Sequence, residues 1–278
     1  MDSKSTFKLR NPPGSIPILG NKYYDRPSVL TPDNLLRQAR RQKVLPSGNV
    51  PEFCVLDPDG DLFRYLRSSG ARRSPNWACY HTELYELELD GGVVGVVGCA
   101  VGASFAVLVA EQLFASGCRF LMSVTSAGQV VPAGAPPYFV LIDRALRDEG
   151  TSYHYLPPAT YARIRENLLS AVKAGIPDSI PVVQGGAWTT DAPFRETEQA
   201  IAFCRSENLI AVEMEAAALY AFAEASQRPV VCFARVTNEM GLVEKDFEKG
   251  EENGNTAFVE LIAAMVSLML RNGHSQGV

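Results

Sequence analysis

Two carboxylates set two residues apart carry the clearest chemistry in this chain. In Ala211-Val212-Glu213-Met214-Glu215-Ala216-Ala217-Ala218 they bracket a methionine where an apolar run gives way to small residues. That change predicts a strand running into a helix. A carboxylate at a helix start accepts from unpaired backbone N–H groups and sits at the positive end of the helix dipole, which holds it ionised and rigid. Such an anion can take two donors together, so Glu215 is placed to bind the vicinal hydroxyls of a polyol. Simple capping by Glu213 and Glu215 is the alternative.

These residues need a frame to hold them. Apolar runs at 53–56, 93–98, 120–124, 138–142, 182–188, 209–213 and 230–236 read as strands. Between and after them, 103–116, 159–174, 196–205, 215–226 and 256–270 have helical spacing. The alternation predicts an α/β fold with a parallel or mixed sheet between helices. Ligands bind such sheets beyond the carboxyl ends of strands. Four segments lie there: Thr125-Ser126-Ala127-Gly128, Thr189-Thr190-Asp191-Ala192, Glu213-Met214-Glu215 and Thr237-Asn238-Glu239. Residues 1–30 hold too many prolines and glycines for a regular element and read as an irregular arm. Thr31-Pro32-Asp33 then opens a short helix to about Lys43. The division expected is an arm with a short helix over 1–50 and a single domain over 51–278.

Composition narrows the partners. With 46% apolar and 21% charged residues the 278-residue chain is neither disordered nor fibrous. A net charge of −5 argues against nucleic acid or anionic lipid and favours small molecules. The six cysteines are scattered without a C-x-x-C pair, which predicts reduced, buried thiols and a cytoplasmic setting. The uncharged stretch 91–110 is punctuated by glycines, as a strand, a turn and a buried helix would be, so no membrane span is expected. The polar first ten residues lack the apolar core of a secretory signal. His81, His154 and His274 do not cluster, so no metal is expected. The acid run 57–61 lacks the later Glu of a calcium loop, and neither a Gly-x-Ser-x-Gly elbow nor a dinucleotide glycine motif is present.

Val212-Glu213-Met214-Glu215-Ala216-Ala217 resembles the signature of the purine nucleoside phosphorylase and uridine phosphorylase superfamily. Other segments agree in order: Val101-Gly102-Ala103-Ser104 with Glu111-Gln112-Leu113, then Ser126-Ala127-Gly128. The segments from Asp148 to Tyr155 and from Trp188 to Thr197 are similar to uridine-phosphorylase-type members. The likeness runs from about Phe53 to the C-terminus. It implies a three-layer αβα sandwich whose central mixed sheet is partly barrel-like, and a homo-oligomer, dimer or hexamer, with sites completed across an interface. No cofactor is implied beyond inorganic phosphate as co-substrate.

The resemblance further implies cleavage of the N-glycosidic bond of a purine or pyrimidine (uridine-type) ribonucleoside, with phosphate as the nucleophile. Glu215 would bind the ribose 2′ and 3′ hydroxyls and stabilise the positive charge that develops on the sugar, with Glu213 and Met214 beside it. Asn238 would donate to the departing base. Phe194, Arg195 and Trp188 would contact the base, Thr125, Ser126 and Gly128 would line the pocket, and His154 would lie near the 5′ end. The phosphate arginines of the family are replaced: Gly-Asp-Pro-x-Arg reads Leu56-Asp57-Pro58-Asp59-Gly60 here, and Ser123 stands at the second arginine position. Thr125, Ser126 and their N–H groups, helped by Arg64, Arg72, Arg73 or a neighbouring subunit, would then have to hold phosphate. Two alternatives follow. One is a nucleosidase using water, for which Glu52 lies before the strand and Asp57 is short. The other is a catalytically silent nucleoside-binding protein.

Overall fold

The computed structural model describes residues 16–238 and 255–274. Helix α1 (Pro32–Lys43) starts where its cap was read: Thr31 Oγ1 accepts from the Asn34 N–H at 3.2 Å, Pro32 fills the first turn, and Leu36 and Ala39 are buried. Of the arm, 16–30 are described and contain one 3-10 turn, Pro17–Leu19.

From β1 (Phe53–Asp57) the strands follow the predicted order. They are β2 (Leu84–Leu89), β3 (Gly92–Gly98), β4 (Phe120–Gln129), β5 (Tyr138–Asp148), β6 (Tyr161–Arg163), β7 (Val182–Thr190), β8 (Leu209–Glu213) and β9 (Val230–Asn238). Among the described residues these nine form one mixed sheet. Part of it closes: β4 pairs β9 in parallel, β9 pairs β5 antiparallel, β5 and β7 then β7 and β8 are parallel, and β8 returns antiparallel to β4. The ring of five strands is extended by β1, β3 and β2 from β4 and by β6 from β5. Closure removes the exposed edges that these strands would otherwise present.

Helices pack around this sheet. Helix α3 (Ala103–Ala115) lies against α1 and against α6 (Ala216–Ser226). Elsewhere α2 (Asp61–Ser68) and α4 (Glu166–Gly175) pack on α7 (Asn255–His274), and α5 (Glu198–Ser206) covers β8. Both α3 and α6, with one charged residue each, are buried along most of their length, as apolar helices between a sheet and another helix must be. No helix among the described residues is long and apolar enough to cross a membrane. Five of the six cysteines are buried and none is paired; Cys99 is exposed.

One local expectation is corrected and one unassigned strand is added. The helix expected over 159–174 begins only at Glu166, because Tyr161–Arg163 pair with Arg144–Leu146 of β5 and Tyr161 packs against the Arg144 and Arg163 guanidinium groups. Edge pairing outweighs a weak helical pattern there. The alternating stretch before Asp90-Gly91, not assigned above, is β2, the hairpin partner of β3. The acid run 57–61 is the turn that starts α2, and His81 lies in an irregular stretch. His274 and Glu239 have side chains outside the described residues.

Candidate active site

Strands β1, β4 and β9 run parallel, and the chemistry collects towards their carboxyl ends. Glu213 is the last residue of β8 and is buried. Its Oε2 accepts from the N–H groups of Glu215 and Ala216, both at 2.7 Å, and its Oε1 accepts from the Thr189 hydroxyl on β7. Thr189 Oγ1 in turn accepts from the Ala217 N–H at 3.0 Å. Glu213 therefore caps α6 from the preceding strand, with both oxygens engaged.

Relieved of capping, Glu215 swings the other way. Its Oε1 accepts from the Gly102 N–H at 2.7 Å, at the start of α3. Its Oε2 is buried and has no hydrogen-bond partner. Glu215 is 1% exposed, so its Oε2 is a buried polar atom that a ligand hydroxyl could satisfy. The Thr125 hydroxyl lies nearby but is directed at Asp59 Oδ2 (3.5 Å) and the Ser126 carbonyl (3.4 Å). Gly102 has φ +94°, a conformation that favours glycine, and a Cβ added there would meet open space. The helix-start picture of a carboxylate held ionised is corrected on this point. Burial, the neighbouring Glu213 carboxylate and Asp59 push the Glu215 carboxyl up to about 8, against the lowering effect of the Gly102 N–H and Thr125 hydroxyl. Burial likewise raises Glu213, to about 7.

The turn from β1 into α2 forms the next wall. Asp57 is buried, and its oxygens accept from Gly60 N–H (3.1 Å) and Phe63 N–H (2.9 Å), which caps α2. Burial pushes its carboxyl up to about 6, with Asp59 and Asp61 adding to the effect. Gly60 has φ +79°, and a Cβ there would lie 2.5 Å from Cys99 Sγ. This tight turn brings Asp59 across to β4, where its Oδ2 accepts from the Ser126 N–H at 2.6 Å. Arg64 is engaged with Asp61 (3.1 Å) and the Asp59 carbonyl (2.7 Å), while Arg72 pairs with Glu86 and Arg73 with Glu83.

A third wall comes from the turn after β5. The buried Arg147 donates to Ser152 Oγ, the Pro157 carbonyl and the Leu156 carbonyl, and its guanidinium lies 4.4 Å from the Tyr153 ring centroid. Glu149 accepts from the Thr151 and Ser152 N–H groups, and Asp191 accepts from Gly150 N–H at 2.8 Å. The expected pocket residues thus separate. Thr125 is buried, and Met214, Ser126 and Gly128 are half-buried near Glu215 in sequence or across the sheet. Trp188 is packed with Val130, Cys204, Leu209 and Val212 and donates Nε1–H to Asp148, so its ring is not presented for stacking on a base. Phe194, 99% exposed, and Arg195 stand at the surface on a 3-10 turn. His154 is exposed and shares a 2.9 Å contact with Lys22 of the arm. Asn238 ends β9 opposite Gly128, and its side chain lies outside the described residues. Gly102, Thr189 and Asp59 were given no catalytic or binding role above; their parts depend on partners up to 113 residues away.

A separate groove of about 930 Å³ opens at the other end of the sheet, where β1 and β4 begin. Phe53, Phe120, Val266 and Met269 line it, with Glu52 and Arg119 at its margin.

The profile of the phosphorylase superfamily matches residues 54–268. Among solved structures, uridine phosphorylase from Vibrio fischeri superposes with a TM-score of 0.64 at 18% identity, covering 79% of this chain and 90% of that one. AMP nucleosidase from Bacteroides thetaiotaomicron superposes with a TM-score of 0.65 at 18% identity, covering 88% of this chain and 100% of that one. At that identity the likeness is one of fold. No curated protein sequence matches the chain.

Proposed function

The chain belongs to the phosphorylase superfamily, and from that membership we propose that it binds a purine or pyrimidine ribonucleoside and cleaves its N-glycosidic bond. The observation that carries the reading is the buried, unpartnered Oε2 of Glu215. Ribose supplies the missing donors through its 2′ and 3′ hydroxyls, and Met214 packs on the sugar. As the C1′–N bond lengthens, positive charge grows on the ribose ring, and the Glu215 carboxyl, ionised once the ribose hydroxyls donate to it, stabilises the transition state more than the ground state. Thr189 and Glu213 hold the start of α6 in place and so fix where Glu215 points.

The two superposing structures are named for a pyrimidine nucleoside and a purine nucleotide; their common part is a ribose on a base, which is the part Glu215 would read. Base recognition by Phe194, Arg195 and Asn238, a role for His154 near the 5′ end, and the homo-oligomer belong to this proposal.

The test is a panel of uridine, inosine, guanosine, adenosine, 5′-methylthioadenosine and adenosine 5′-monophosphate, each with and without phosphate, scored for free base. We expect release from at least one, and a loss of about 10²-fold or more in kcat/KM for Glu215→Ala with circular dichroism unchanged. The matching 2′-deoxynucleoside should be a poorer substrate, because it lacks one donor to Oε2. Thermal stabilisation by a nucleoside with no base released would favour the binding-only alternative.

A further inference from the structure

We infer that Asp59 occupies the seat an anionic nucleophile would need and serves water instead, so that the bond is hydrolysed without phosphate. This rests on the reading above, that Glu215 holds the ribose. Strand β4 offers an anion two donors, the Ser126 N–H and the Thr125 hydroxyl. The Ser126 N–H donates to Asp59 Oδ2 at 2.6 Å, and Thr125 Oγ1 lies 3.5 Å from the same oxygen while also reaching the Ser126 carbonyl at 3.4 Å.

The carboxylate is held there by its backbone. Asp57 pins the turn through Gly60 and Phe63, Gly60 supplies the left-handed conformation, and Arg64 Nη2 holds the Asp59 carbonyl at 2.7 Å. A phosphate dianion arriving at Ser126 would have to displace Asp59 and stand among Asp57, Asp59 and Asp61, where like charges a few ångströms apart oppose it. The arginines near the turn do not reverse this. Arg64 is engaged with Asp61, and the buried Arg235, level with Ser126 on β9, has Asp61 as a stabilising neighbouring charge. Arg72 and Arg73 are paired with Glu86 and Glu83.

Water has no such conflict. Asp59 is half-buried, and among the described residues nothing hydrogen-bonds its Oδ1. Thr125 lies between Asp59 and Glu215, and the Asp59 charge is felt at Glu215. A ribose on Glu215 and a water on Asp59 would therefore share one small space. In the step, the water oxygen forms a bond to C1′ as the C1′–N bond breaks, its electron pair leaving on the base. Asp59 accepts the proton from water and returns it to solvent, and a proton from solvent neutralises the base. The products are free ribose, or its 5′-substituted form, and free base.

The experiment uses the best nucleoside of the panel in oxygen-18-labelled water, with and without saturating phosphate, for the wild type and Asp59→Asn. Expected are equal rates with and without phosphate and label at C1 of the sugar. Asp59→Asn keeps an acceptor for the Ser126 N–H but cannot take a proton. It should lose about 10²-fold or more in kcat with KM and Tm near wild type. Phosphate-dependent release giving ribose 1-phosphate would overturn this inference and leave the parent reading intact, as would hydrolysis by Asp59→Asn at the wild-type kcat. Absence of cleavage by the wild type under every condition overturns the parent reading and this inference with it.

Discussion

Glu213 has both oxygens filled by Thr189 and the first N–H groups of α6, whereas Glu215, two residues on, has one oxygen on Gly102 and one on nothing. Both carboxyls are raised, first by burial, so the folded chain keeps protons that the unfolded chain has released. The sign follows. The stability these groups contribute is fully present below the ordinary carboxylate value of 4.5 and is lost as pH rises towards about 8. The ligand-free wild type should therefore lose Tm across that window, by an amount on the order of a few kcal/mol in stability. Glu215→Gln, which cannot ionise, should flatten the curve and melt higher than wild type at the alkaline end. Parallel Tm-against-pH curves for the two proteins would refute the assignment of buried charge to Glu215.

At the scale of elements, the pocket is built from segments that follow strands, and each is tied down by one buried polar group. Arg147 on β5 does this for 149–157, through three acceptors and the Tyr153 ring. Lysine has no planar fork to meet them, so Arg147→Lys should cost about 2–3 kcal/mol in stability. It should also raise KM more than it lowers kcat, because the segment positions substrate without touching the bond that breaks. Urea titration and steady-state kinetics read the two effects; an unchanged midpoint would mean the fork is dispensable.

The cap of α1 was legible because Thr31, Pro32 and Asp33 act on their own helix. The cap of α6 was legible only in part. Glu213 and Glu215 both sit at a helix start, and which of them caps is decided by Thr189 on β7 and Gly102 before α3. The helix expected at 159–174 starts late for a related reason, since pairing with β5 claims its first residues.

For the whole molecule, closure of β4, β9, β5, β7 and β8 into a ring brings Thr189 of β7 to Glu213 of β8, and β1 beside β4 brings Asp59 to Ser126. Helix α6 is locked to that ring by Tyr220, whose hydroxyl donates to the Ile142 carbonyl at 2.6 Å and accepts from the Cys232 N–H at 3.1 Å. Tyr220→Phe leaves a buried donor and a buried acceptor unpaired, which should cost about 1–3 kcal/mol. Scanning calorimetry would show this as a Tm lower by several degrees; an unchanged Tm would show that the hydroxyl contributes nothing net.

Residue order alone determined the alternation of strands and helices, the breaks between them and the Glu213-Met214-Glu215 junction, because periodicity, caps and turn residues act over a few positions. It also located the departures at Asp59, Gly60 and Ser123. The jobs of the two glutamates, the retreat of Trp188 into the core and the reach of Asp59 to the Ser126 N–H were decided by tertiary structure. Each depends on a partner from another strand or turn, and closure of the sheet is what brings those partners within hydrogen-bonding distance.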